Sequence, residues 1–418
     1  MAISSFDLMS ALTAVRQATE QLSAADHSAD QCSKALEAMG EALSQHQDDI
    51  LEANTLDLEI SRDMAVPELV VDWLKLTPER VQTAVTIFQR LALMGTTLPS
   101  SSRENGTNAY YRTCPVGIVG FIYEAFPDLG AIAAALAIRT GNALVLKGGS
   151  EASHTNQIIA NILQNTLEEV DLPTTLIFPI EATAEVSRLD IAQCSEIDLI
   201  IPHGRPSLVD QVVKHANVPV IPSRMGNCYL YWSASGSVDQ VYQTIAESHL
   251  GTPDAVNRIE KILIHESHSE NAVTRLWNRL QENQFKIKAD ESILRWGSST
   301  SMSETSIAAV EAAEWDTAYL KRTVAFRQVR NVEAAIQWIN ARSSGHADSI
   351  ITADYIESRK FISRCRSASV YVNASSRFTR NAKQTGEIAL GASDYKDADG
   401  GLIGMAVMQA RQRIFHSC

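Results

Sequence analysis

Thr113–Asn156, TCPVGIVGFIYEAFPDLGAIAAALAIRTGNALVLKGGSEASHTN, decides how this chain folds. Val116–Tyr123 is apolar and rich in β-branched residues, a pattern that predicts a buried strand. Glu124–Asp128 reads as a loop carrying Pro127. Leu129–Thr140 is almost wholly apolar and alanine-rich, which suits a helix laid on a sheet. Gly141 fits the helix stop. Asn142 leads into a second strand, Ala143–Lys147, and Lys147-Gly148-Gly149-Ser150-Glu151 follows at its C-terminal end, where open α/β sheets bind ligands.

The flanking sequence extends the pattern. Candidate strands Thr175–Phe178, Asp198–Ile201, Val218–Ile221 and Tyr229–Trp232 alternate with helical stretches such as Asn156–Glu169 and Pro206–Ala216. That order predicts a mostly parallel sheet covered on both faces. No G-x-G-x-x-G occurs, which does not bar a dinucleotide. A second α/β segment has strand-like runs at Lys261–His265, Val324–Val329, Ser349–Thr352 and Ser369–Val372, with a helix over Asn331–Ala341. The first hundred residues are helical in pattern: Leu36, Met39 and Leu43 share a face. Thr77-Pro78 starts a helix whose apolar face is Val81, Ala84, Val85 and Phe88, with Gly95 as its stop. Thr96–Asn108 reads as an exposed loop, and Ala109–Cys114 as an edge strand.

At 418 residues the chain can hold two or three domains. Its 45% hydrophobic and 20% charged content are ordinary for a globular protein. The net charge of −13, without a basic run, argues against nucleic acid or an anionic membrane as partner. No apolar run predicts a membrane span or a signal peptide. Six scattered cysteines without CxxC spacing read as reduced thiols of a cytoplasmic protein. No spacing of histidines or cysteines predicts a metal site.

Several segments carry a resemblance to the γ-glutamyl phosphate reductase (glutamate-5-semialdehyde dehydrogenase) family, a branch of the aldehyde dehydrogenase superfamily. They are Ile50–Glu59 (ILEANTLDLE), Leu74–Arg80 (LKLTPER), the IYEA of Ile122–Ala125, Ala133–Leu136, Gly141–Ala143, Gly148–Ala152, Glu314–Leu320 (EWDTAYL), Ser344–His346 and Val370–Thr379 (VYVNASSRFT). The resemblance spans about Leu36 to Met405. It implies an α/β, aldehyde-dehydrogenase-like fold: a Rossmann-type dinucleotide-binding domain (1–105 and 115–245), a second, catalytic-type α/β domain (246–372), and a hairpin and tail (106–114 and 373–418) for oligomerisation. It implies a homo-oligomer, a dimer or tetramer, and NADP(H) as cofactor. Lys147, Gly148, Gly149 and Glu151 are the cofactor-binding candidates, with the ammonium of Lys147 suited to a phosphate. Glu124, Asn257, Asn373 and Phe378 are the substrate-cleft candidates.

The family's reaction needs a thiolate that attacks the acyl phosphate, leaving a thioester for NADPH to reduce. In the register set by Pro253, Asn257 and Glu260, the position of that cysteine is Val256. Loss of the nucleophile alone costs about 10⁶ in rate in one hydrolase series. Other positions depart too. Phe126 stands for an arginine and Asp128 for an asparagine, where a carboxylate would repel a developing oxyanion. Pro202-His203-Gly204-Arg205 stands for PRGG, Thr252 for an arginine, Lys383-Gln384 for a Glu-Phe pair near the cofactor, and Ala398–Leu402 for HARGP. Cys228 corresponds to a family cysteine that is not the nucleophile. These departures favour a scaffold without the family's chemistry, with a regulatory or assembly role beside an active relative or another protein. Two alternatives stand beside it: an active NADP-dependent dehydrogenase using another nucleophile, and direct hydride transfer with His203 and Glu124 as acid/base candidates.

Overall fold

The computed structural model describes residues 8–24, 28–94, 109–251, 254, 256–297, 307–382, 386–397 and 400–415. Gly95, the loop 96–108, Thr252, Pro253, Lys383, Gln384, Ala398 and Asp399 lie outside the described residues.

The strands are β1 (Ala109–Pro115), β2 (Ile118–Tyr123), β3 (Ala143–Lys147), β4 (Ile177–Pro179), β5 (Leu199–His203), β6 (Cys228–Trp232), β7 (Ile259–His265), β8 (Lys286–Ala289), β9 (Ile307–Ala309), β10 (Thr323–Val329), β11 (Ala347–Ile351), β12 (Ser369–Val372) and β13 (Gln409–Phe415). They fall into two compact units. The first holds residues 1–223, 380–390 and 403–418, and the second 224–379 and 391–402.

In the first unit β4-β3-β2-β5 form a parallel sheet. The quoted stretch supplies its centre. β2 and β3 are buried along their whole length, and the helix Pro127–Thr140 is buried on every side, which is why it carries no polar stripe. Gly141 ends that helix at φ +76°, donating to Ile138 O while Asn142 donates to Ala137 O. Helices Leu8–Ala24, Ser28–Gln45, Gln47–Asp63, Glu68–Leu74 and Pro78–Leu93 belong to the same unit. Thr77 Oγ1 accepts from Arg80 N, the cap expected of that helix. β1 pairs antiparallel with β13, so the edge strand and the tail form a two-stranded ribbon.

The second unit is built on the sheet β12-β11-β6-β7-β10-β8-β9, with every pairing parallel. Two apolar clusters flank it. One is centred on Trp232, Trp277 and Phe326, the other on Tyr229, Tyr231 and Phe361.

Four expectations are corrected. The divide after residue 245 moves to 223, because β6 hydrogen-bonds β7 and β11 and so belongs to the second sheet. The tail 373–418 is shared between the two units. Val218–Ile221 is no strand: Val220 makes a single bridge to Ile200. The helix after β2 starts at Pro127, so Asp128 is in its first turn and not in a loop.

Candidate functional site

The C-terminal ends of β2, β3, β4 and β5 bring the first unit's candidates together. The turn after β3 is held by a distant motif. Asp57, fully buried, accepts from the backbone N–H groups of His154 and Thr155 and from Thr155 Oγ1 at 2.6 Å. It thereby caps the helix Ser153–Glu169 from another element. Asn54 accepts from Leu76 N and donates to Leu74 O and Thr155 Oγ1. The ANxxD part of the Ile50–Glu59 segment is therefore a clamp on the glycine turn.

Within the turn Lys147 is buried and its Nζ donates to Glu181 O at 3.3 Å. Burial, then the charge of Arg188, pushes the ammonium below its ordinary value. Glu151 Oε1 accepts from Ala125 N at 2.8 Å. That bond supports Ala125 at φ +52°, a left-handed conformation uncommon for alanine. Burial raises the Glu151 carboxyl. A Cβ on Gly148 would run into Asn156, and one on Gly149 into Glu151. The two glycines thus make room for side chains of this chain. The residue types suit a nucleotide, and as arranged Lys147 holds the Glu181 carbonyl and Glu151 the Ala125 N–H.

Glu124 is 3% exposed and held by Arg205, whose Nε lies 3.0 and 3.1 Å from its two oxygens and whose Nη2 is 2.6 Å from Oε1. Arg205 N also donates to it. Burial pushes this carboxyl up, and the hydrogen bonds and charge of Arg205 outweigh it, holding it below the usual range. An ionised, fork-bonded carboxylate is a poor general base, which weakens the acid/base alternative. His203, the other acid/base candidate, is buried with Nδ1 2.8 Å from Ser223 Oγ.

Phe126 and Asp128 are explained by neighbours. Phe126 is 1% exposed, stacked on Trp73 (centroids 4.9 Å apart) and edge-on to His203 (5.3 Å). It is a core residue of this unit. Asp128 accepts from Nε and Nη2 of Arg80, which also donates to Trp73 O and Lys75 O. The expectation that Asp128 presents repulsive charge is corrected: Arg80 neutralises it. The sequence signal was the Arg of LTPER, read only as part of a helix start. Arg205 and Arg188 were likewise missed as partners, because pairing across elements leaves no periodic trace.

In the second unit Val256 is 1% exposed. Its carbonyl accepts from Gly226 N at 3.3 Å and from His346 Nε2. Burial holds the His346 imidazole down at about 4, so it is neutral, with its Nε2 proton committed to Val256 O. Cys228 Sγ lies 3.3 Å from that nitrogen, which is therefore no base for it. Burial first, then Asp348 and Glu260, push the Cys228 thiol well above its ordinary value. Cys365 is raised to about 12, again by burial first.

Asn257 is buried; its carbonyl accepts from Ser376 Oγ at 2.8 Å and its Nδ2 donates to Tyr371 Oη. Asn373, at φ +52°, brackets the end of β11, accepting from Thr352 N and donating to Thr352 O. Phe378 is 7% exposed. Glu260 gathers the N–H groups of Asn227, Tyr319 and Leu320, tying the EWDTAYL segment to β7. Among the described residues no cluster of three His, Cys, Asp or Glu side chains could hold a metal ion, and no helix is long and apolar enough to cross a membrane.

Comparison with known proteins adds to this geometry. Residues 2–307 match the aldehyde dehydrogenase family. γ-Glutamyl phosphate reductase 2 of Synechocystis sp. is 42% identical over 388 residues, covering 91% of each chain. The crystal structure of γ-glutamyl phosphate reductase from Thermotoga maritima superposes with a TM-score of 0.86 at 28% identity, covering 97% of each chain. A glyceraldehyde-3-phosphate dehydrogenase from Methanocaldococcus jannaschii, solved with NADP, is 17% identical with a TM-score of 0.69, over 97% of this chain and 93% of that one; the likeness is one of fold. Proteins of this fold commonly bind NAD(P). The chain belongs to the aldehyde dehydrogenase family and, within it, to the γ-glutamyl phosphate reductases.

Proposed function

We propose that this protein keeps the γ-glutamyl phosphate reductase scaffold while lacking the family's covalent chemistry, and acts in regulation or assembly. The family reaction, a step of proline biosynthesis, reduces γ-glutamyl phosphate to glutamate-5-semialdehyde with NADPH as the hydride source. The observation that carries the reading is Val256: a buried aliphatic side chain where the resemblance seats the attacking thiolate. Valine can neither attack a carbonyl carbon nor hold a thioester. The nearby thiol, Cys228, is fully buried and held protonated, which supports the same conclusion.

NADP(H) is the cofactor this reading retains, on Lys147, Gly148, Gly149 and Glu151. A homo-oligomer fits the β1–β13 ribbon, since a two-stranded sheet is marginal by itself and leaves strand edges to pair.

The test is the reverse reaction. Purified protein is supplied with glutamate-5-semialdehyde, phosphate and NADP⁺, and NADPH absorbance is followed beside Val256→Cys. The unmodified chain is expected to stay at the no-enzyme blank. Turnover well above it would overturn the reading in favour of an active dehydrogenase using another nucleophile. Turnover only in Val256→Cys would mean that the thiol alone is missing.

A further inference from the structure

In the first unit, away from the strand ends, a cavity of about 550 Å³ opens between the helices Leu8–Ala24, Ser28–Gln45 and Pro127–Thr140, with β1 and β13 along its side. Arg139 lines it and is 8% exposed. Among the described residues its guanidinium makes one hydrogen bond, 2.8 Å to the neutral Ser33 Oγ, and meets no carboxylate within ion-pair distance. A buried guanidinium offers five donors and ordinarily finds a carboxylate or phosphate. The C-terminal end of its helix favours a cation here, while Ile138 O and Ala137 O accept from Gly141 N and Asn142 N.

Arg112 lines the same cavity, its Nε fixed at 2.6 Å by Gln412 Oε1, and Thr113 and Ser23 add hydroxyls. Cys32 and Cys114 are in the wall as well. Burial raises the Cys32 thiol and the charge of Arg139 works against that rise.

We infer that this cavity binds a small organic oxyanion, its carboxylate or phosphate held by the Arg139 fork with Arg112 at the rim. The inference is independent of what residue 256 does.

The half-buried wall thiol of Cys114 reports on occupancy. Full-length protein is treated with iodoacetamide in the presence of inorganic phosphate or of succinate, with ionic strength matched by chloride, and modification of each cysteine is followed by peptide mass spectrometry. Saturable slowing at the half-buried Cys114, but not at the buried Cys365, is expected. Slowing by phosphate alone, succinate alone or both assigns the headgroup. Arg139→Met should raise the half-effect concentration by at least about tenfold. Equal protection in Arg139→Met, or protection by neither anion beyond chloride, would overturn the site. Should Arg139→Met fail to fold, Arg112→Gln serves: it should weaken protection, and an unchanged half-effect concentration would remove the rim arginine and with it the proposed cavity site.

Discussion

Arg80 grips Asp128 across two helices: its guanidinium donates to both carboxylate oxygens, with both side chains largely withdrawn from water. Breaking one side of a buried pair leaves the other charge uncompensated. Arg80→Met is expected to destabilise the protein by about 3 kcal/mol in chemical denaturation. Asp128→Asn should cost less, and the double variant should recover part of the loss of Arg80→Met. A strictly additive cycle would mean that the two side chains do not depend on each other.

Phe126 tests whether its position is core or ligand-facing. Packed between Trp73 and His203, Phe126→Ala should cost about 3 kcal/mol through the cavity it leaves. Phe126→Arg, the residue type that the resemblance places there, should cost more, because its charge enters an apolar site. A stable Phe126→Arg protein would show that the position opens to solvent or ligand.

Asp57 should behave as a remote helix cap. Asp57→Ala is expected to cost about 1–2 kcal/mol and Asp57→Asn less, since its one amide oxygen still accepts from one of the two N–H groups that the two carboxylate oxygens now share. Hydrogen exchange should speed up at the start of the helix Ser153–Glu169. Unchanged exchange there would remove the clamp from the account of the glycine turn.

Acid should weaken the second unit. Burial holds His346 and His249 at about 4, against an ordinary 6.5, so unfolding takes up their protons between those values. Their contribution is full above pH 6.5 and is lost as pH falls toward 4. Asp348 opposes this. Burial raises it from 3.8 to about 6, so it stabilises at low pH and that contribution is lost as pH rises through 6. Between pH 6 and 4 the balance is about one proton taken up on unfolding, or about 1.4 kcal/mol of stability per pH unit. Calorimetry across pH 4–7 should show the decline, and His346→Gln should flatten it.

The sequence by itself determined the fold class and the local elements. β3 lies where its apolar run predicted, Gly141 stops the helix before it, and Thr77 caps another, because periodicity, capping and turn chemistry act within a few residues. It also held the family resemblance, since motif order survives in the chain itself. Only the tertiary structure decided which sheet β6 joins, that Arg80 neutralises Asp128, that Arg205 locks Glu124 and that Glu151 serves Ala125. Those facts depend on pairings across tens of residues, where a buried charge or an unpaired strand edge takes whatever partner the fold brings within about 3 Å. No local pattern in the sequence encodes that partner.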